Sequence, residues 1–245
     1  MKKLFAVLML STLAVFAGCG DSGTGNDDDT GGTGGSAEAF FPVKLNATWT
    51  YTASGDETGE NTETIIGTKS IGGKTYLMIK TTYTGGMDAD TSYVRLDGNT
   101  LYSLIDASQF MVGKRAVAAK AASALAATAG EIEVPMMKFG LSAGATWDIY
   151  KYSGTVEGAS VNISITGKYI GKENVTVPKG SFSNCLKYQI LETDASSFQG
   201  QSFTSTSTHT IWLAENVGRV KSTDVTDAGT STFSTTEVLK SYSIP

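Results

Sequence analysis

Histidine is nearly missing from this 245-residue chain, and cysteine, proline and tryptophan are scarce: one His, two Cys, four Pro and three Trp. With His209 alone, neither a multi-histidine metal site nor a two-histidine mechanism has the ligands or bases it needs. Gly-x-Ser-x-Gly elbows, phosphate loops and dinucleotide fingerprints are also missing, which removes the commonest routes to hydrolase, nucleotide-dependent and redox chemistry. A basic excess is lacking too. The chain carries 19 Lys+Arg against 24 Asp+Glu, and from Phe40 onward the balance is 17 against 19. A nucleic-acid binder would show a basic stripe, so that partner class is not expected. The close acidic pairs Asp88/Asp90 and Glu131/Glu133 fall in stretches that read as solvated loops. The expectation is therefore a protein that is not an enzyme and uses no cofactor and no metal.

Long hydrophobic runs are limited to one. Lys2 and Lys3 precede an apolar stretch from Leu4 to Phe16, and Ala17-Gly18-Cys19 follows. Thirteen residues are too few for the roughly 20 that a membrane-spanning helix needs. The layout fits an export signal over residues 1–18 ending in a lipobox, with Cys19 as the acylated first residue of the mature chain. Two or three acyl chains would give stable membrane anchoring, which one chain does not. Gly20, rather than an aspartate, follows the cysteine and points toward the outer membrane of a bacterial envelope, facing the periplasm or the surface. With Cys19 consumed by lipid, Cys185 has no partner for an intramolecular disulfide. It reads as a small core residue.

Residues 19–39 contain Gly, Ser, Thr, Asn and Asp almost exclusively, with Asp27-Asp28-Asp29 at the centre. Such a stretch buries too little apolar surface to offset its ordering entropy, so it reads as a flexible tether. The acidic triplet lacks the spacing and closing glutamate of a calcium loop.

From residue 40 to 245 the texture is β: short alternating runs of Thr, Tyr, Val and Ile broken by Gly, Asn and Asp. Ile71-Gly72-Gly73 and Asp97-Gly98-Asn99 are hairpin signals, with glycine where a positive φ is needed. Val161, Ile163 and Ile165 alternate with Asn162, Ser164 and Thr166, giving one buried and one wet face. One stretch departs from this texture. Ala116–Ala129 holds nine alanines in fourteen residues and is followed by Gly130, a pattern for one helix. That segment, 114–130, reads either as a connector or as a lid over a concave surface.

The opening motif then returns. Phe41-Pro-Val-Lys-Leu-Asn-Ala-Thr-Trp49 aligns without gaps on Phe139-Gly-Leu-Ser-Ala-Gly-Ala-Thr-Trp147. Tyr93–Tyr102 corresponds loosely to Ile211–Val220. Two pseudo-repeats, about 40–113 and 135–245, follow from this. The expected fold class is mainly β, an antiparallel curved sheet, half-barrel or sandwich of two pseudo-repeated halves with one Ala-rich helix, in ten to twelve strands.

Three motifs carry a resemblance: Phe41-Pro42 through Thr48-Trp49, then Val175-x-Val177-Pro178-x-Gly180-x-Phe182-x-Asn184-Cys185-x-Lys187, then Trp212-x-Ala214-x-x-Val217-Gly218-x-Val220-Lys221. Together they resemble a group of uncharacterised bacterial lipoproteins and secreted proteins, similar in style to periplasmic half-barrels that carry lipids or lipoproteins. The resemblance implies an envelope location and no catalytic residues. Trp49, Trp147 and Trp212 are either core or the lining of a ligand cavity. The functional expectation is non-catalytic binding of a lipid or other apolar small molecule on a concave β surface. The alternative is a structural or interaction module that captures an envelope protein.

Overall fold

The computed structural model describes residues 36–85, 88–106, 131–156, 158–229 and 231–245. Twelve strands form one antiparallel sheet: β1 Thr48–Gly55, β2 Gly59–Ile71, β3 Lys74–Tyr83, β4 Asp90–Asp97, β5 Thr100–Asp106, β6 Glu131–Lys138, β7 Thr146–Val156, β8 Ala159–Val177, β9 Gly180–Phe198, β10 Gln201–Ala214, β11 Gly218–Asp227 and β12 Thr232–Ser243. Their order is β6-β5-β4-β3-β2-β1-β12-β11-β10-β9-β8-β7. The sheet is therefore an up-and-down meander whose first and last strands pair, from Thr48 opposite Ser243 to Gly55 opposite Thr235. Its two edges, β6 and β7, are consecutive in the chain.

Curvature brings those edges together. The Trp147 indole N–H on β7 donates to the Pro135 carbonyl on β6 at 2.9 Å, and the Tyr188 hydroxyl donates to Lys138 O at 3.2 Å. A nearly closed barrel results, which matches the expected mainly β class. Proline suits an edge strand because it has no N–H to leave unpaired. Both acidic pairs read as loop residues are partly in strands: Glu131 and Glu133 open β6, and Asp90 begins β4. Alternation hid them, because a polar residue every second position also suits the solvated face of a strand.

The two copies of the opening motif make the same turn. Ala47 N–H donates to Lys44 O at 2.9 Å, and Ala145 N–H to Ser142 O at 3.1 Å. In each copy the turn then pairs with a neighbouring strand: Asn46 and Ala47 with Ile65, Gly144 and Ala145 with Tyr169. Asn46 replaces the glycine of the second copy but adopts the same left-handed backbone, φ 67° against 89°. Asparagine tolerates that region better than most residues.

The described helix is not the Ala-rich one. It is α1, Ala37–Phe40, whose Ala37 and Phe40 are buried in the core. Packing thus reaches back into the stretch read as tether, because Ala37 and Phe40 supply apolar surface that the preceding residues lack. The helix is fixed at the β10–β11 turn, where Asn216 N–H donates to Ala39 O at 2.6 Å. The signal segment and the Ala-rich segment lie outside the described residues. Among the described residues no helix is long and apolar enough to cross a membrane.

β8 and β9 each run for 19 residues, with register shifts at Tyr169/Gly171 and Glu173/Val175. The shifts let the hairpin end bend onto β12. Lys179 N–H donates to Leu239 O at 3.1 Å, and its ammonium lies 5.3 Å from the Tyr242 ring centre. The Val-Pro-Lys-Gly turn is therefore a docking point between distant strands. Cys185 is fully buried, and burial pushes its thiol up to about 11.

Candidate functional site

Strand alternation gives the barrel an inner face, and that face changes character along the strands. Toward the end where the chain enters, aromatic side chains fill it. Phe41 packs edge-on against Phe139, Phe139 against Tyr188, and Trp147 against Tyr188, with ring centres 5.1, 5.8 and 6.1 Å apart. Each such pair contributes about 0.5–1.5 kcal/mol beyond its buried area. Gly167 is needed here: a Cβ would lie 2.2 Å from the Trp147 indole.

Above this floor the inner face becomes ionic. Arg219 on β11 bridges two carboxylates, Nη2 to Glu63 Oε1 on β2 at 2.6 Å and Nη1 to Glu237 Oε2 on β12 at 2.5 Å. All three residues are buried. The guanidinium also lies over the Tyr51 ring at 4.0 Å and donates to Ser222 Oγ at 2.9 Å. Asn61 donates to Glu237, while its own side-chain oxygen is buried without a partner. Two carboxylates share one guanidinium, so the cluster with both ionised has a net charge of −1 in a desolvated place.

The local chemistry follows from that count. Burial raises the affinity of Glu63 for a proton and outweighs the opposing pull of Arg219. For Arg219, burial disfavours the charge, but Glu63 and Glu237 overcome it and hold the guanidinium protonated. Desolvation likewise lifts the Tyr51 phenol well above its ordinary value. Further along the inner face, His209 Nδ1 pairs with Asp224, and Ser207 with Thr226 at 3.0 Å. Hydroxyls and carboxylates line this part on β10–β12, while Ile190 on β9 and Val161, Ile163 and Ile165 on β8 keep the facing side apolar.

The three tryptophans do not converge on one cavity. Trp49 faces inward and donates to Val217 O at 2.7 Å. Trp147 closes the seam. Trp212 lies on the opposite face from Ile211 and Leu213, held between the ammonium groups of Lys187 and Lys221 at 5.0 and 4.7 Å. All three are at least 93% buried. A pocket bounded by Phe41, Trp49, Tyr51, Glu63 and Arg219 has room for about one water molecule.

A second ion cluster occupies the outer face. Glu133 accepts from Arg95, from Lys74 Nζ at 2.6 Å and from the Tyr76 hydroxyl at 2.6 Å, and Arg95 also lies 4.4 Å from the Tyr102 ring centre. The hydrogen bond from Arg95, helped by Lys74 and Tyr76, outweighs burial and pulls the Glu133 carboxyl down to about 2. No group of three or more metal-ligating side chains is found among the described residues.

Sequence reasoning missed Glu63, Arg219 and Glu237. The available signal was phase: Asn61 and Glu63 alternate in step with Ile65, whose position is apolar. Arg219 stands at the unassigned position of Val217-Gly218-x-Val220.

No family model and no curated protein matches the sequence. Among solved structures, a "putative lipoprotein" from Parabacteroides distasonis ATCC 8503 is 13% identical, with 83% of this chain and 98% of that chain covered and a TM-score of 0.48. A "putative exported protein with YmcC-like fold" from Bacteroides fragilis NCTC 9343 is 12% identical, with the same coverage and a TM-score of 0.43. Both scores are below 0.5, and neither likeness bears on what this chain does.

Proposed function

We propose that this chain is exported, acylated at Cys19 and held at a bacterial cell envelope, where its barrel acts as a non-catalytic binding and display module. The anchor reading rests on Lys2-Lys3, the 13-residue apolar run and Ala17-Gly18-Cys19. Outer-membrane placement follows from Gly20. The observation that carries the binding reading is the division of the inner face. Its floor is filled by the protein's own aromatic rings; above it β10–β12 present Glu, Asp, Ser and Thr, and β8 presents Val161, Ile163 and Ile165. The tryptophans that motivated an apolar cargo are occupied by packing, and the polar β10–β12 side is the part of the inner face that suits a polar ligand or envelope partner.

Two measurements test this. Feeding cells an alkyne fatty acid should label the wild-type chain and leave Cys19→Ser unlabelled; equal labelling of both ends the anchor reading. Native mass spectrometry of protein purified gently from its host should show a bare chain or a polar adduct. A co-purified lipid that dissociates on denaturation would overturn the polar assignment in favour of an apolar carrier.

A further inference from the structure

Connectivity sorts every turn to one of two barrel ends, and the two ends differ in their lysine content. The connections β1–β2, β3–β4 and β11–β12 and the strand ends beside them carry Asp56, Glu57, Asp88, Asp90 and Asp227, and no lysine or arginine among the described residues. The opposite end holds the β2–β3 and β8–β9 hairpins, the two copies of the opening turn and the point where α1 enters. Exposed lysines gather there, Lys44, Lys69, Lys168, Lys172 and Lys179, interspersed with the exposed acids Glu38, Asp97, Asp148, Glu173 and Glu215.

The same end also presents exposed apolar side chains at two corners. Leu45 is 57% exposed beside Lys44, and Ile66 is 41% exposed on the strand that the same turn pairs with. At the equivalent corner of the second copy Ile170 is 36% exposed, between Lys168 and Lys172. These are not packing failures of one loop, since the backbone hydrogen bonds of the two turns repeat. Apolar tips with ammonium groups beside them suit a surface that is oily below and anionic above.

We infer that the lysine-rich end of the barrel docks on an anionic lipid leaflet, with Leu45, Ile66 and Ile170 entering the headgroup layer and Lys44, Lys168 and Lys172 pairing with lipid phosphates. The position of the chain agrees. Ser36 leaves the fold at this end, and sixteen residues lie between it and Cys19. A Gly/Ser-rich chain of that length spans about 20–24 Å in root-mean-square terms. The anchor thus keeps this end, and not the acidic one, near the leaflet. The inference rests on the anchored reading for its membrane, and it directs the acidic end outward to its partner. Basic residues at a membrane surface contribute about fivefold each in affinity, within a Debye length.

The test uses the processed chain with Cys19→Ser, so that no acyl group assists, in flotation with vesicles of 30% phosphatidylglycerol in phosphatidylcholine and with pure phosphatidylcholine. Binding to the anionic vesicles alone, reduced in 0.5 M salt, is expected. Lys44→Glu/Lys168→Glu/Lys172→Glu should weaken it about a hundredfold with an unchanged melting temperature, and Leu45→Ser/Ile170→Ser should weaken it further than salt alone does. Asp88→Lys, at the far end, should leave it unaltered. Equal binding to neutral vesicles, no binding to either, or an equal response to Asp88→Lys would overturn the proposal. Fatty-acid labelling of the wild-type chain scores the anchor separately, so either idea can fail without the other.

Discussion

Glu63 and Glu133 are both paired with an arginine, yet burial and partners drive their carboxyl groups in opposite directions. Glu63 is almost fully desolvated and competes with Glu237 for one guanidinium. Glu133 keeps 16% of its side chain exposed and receives Arg95, Lys74 and Tyr76 together. The difference shows that an ion pair is defined less by its contact than by the count of opposite charges and by access to water. In the inner cluster desolvation wins; in the outer cluster the donors win.

The sharpest way to break this contrast is to remove the shared cation. Arg219→Met leaves Glu63 and Glu237 buried without a counter-charge and should cost about 3–5 kcal/mol in urea unfolding. Replacing Arg95 by Met should cost far less, because Lys74 and water still reach Glu133. A neutral site calibrates the inner face: Gly167→Ala forces a methyl group against the Trp147 indole and should cost about 1–3 kcal/mol through overpacking alone.

Acid titration separates the clusters by sign. Since the folded-state value of Glu133 is depressed to about 2, its contribution is present above about 4.5 and lost as pH falls toward 2. After allowance for solvent screening that contribution is about 1–2 kcal/mol. Glu133→Gln should remove this portion of the acid dependence, which denaturation midpoints between pH 5 and 2 would show. A mutant with the wild-type acid profile would mean that Glu133 is not the group responsible.

Glu63 has the opposite slope and the smallest effect. Its folded-state value is raised, so its favourable proton linkage is complete below the unfolded value of about 4.5 and is lost as pH rises through the folded value. Glu63→Gln should change stability by no more than about 1 kcal/mol at neutral pH and flatten the profile above pH 5. A loss as large as that of Arg219→Met would show that Glu63 is held as a carboxylate.

Much of the fold was legible because local signals agreed. Asp97-Gly98-Asn99 and Ile71-Gly72-Gly73 named their hairpins, and the repeat of Phe-x-x-x-x-x-Ala-Thr-Trp marked two turns that share their hydrogen bonds. The site was not legible for a physical reason. Glu63 lies between Thr62 and Thr64, so the phase of the strand rests on Ile65 alone and the contrast between wet and buried sides is faint. Its partner stands 156 positions away, and the pairing exists only once β1 and β12 close the ring. Trp212, read as core or cavity lining, is buried, but alternation about Ile211 and Leu213 puts it on the outer face between two lysines.

Closure of the first strand on the last also has a kinetic meaning. During synthesis β1 emerges early, but the strand that pairs its outer edge emerges last. Until then Thr48–Gly55 presents unpaired N–H and C=O groups to any passing strand. Ring closure must wait for the whole chain and then pay the loop entropy of nearly its full length, which places this barrel among slowly maturing topologies. A chain of this design needs protection until its final strand is made, and its vulnerability to aggregation is set by the time that passes before Thr232–Ser243 arrives.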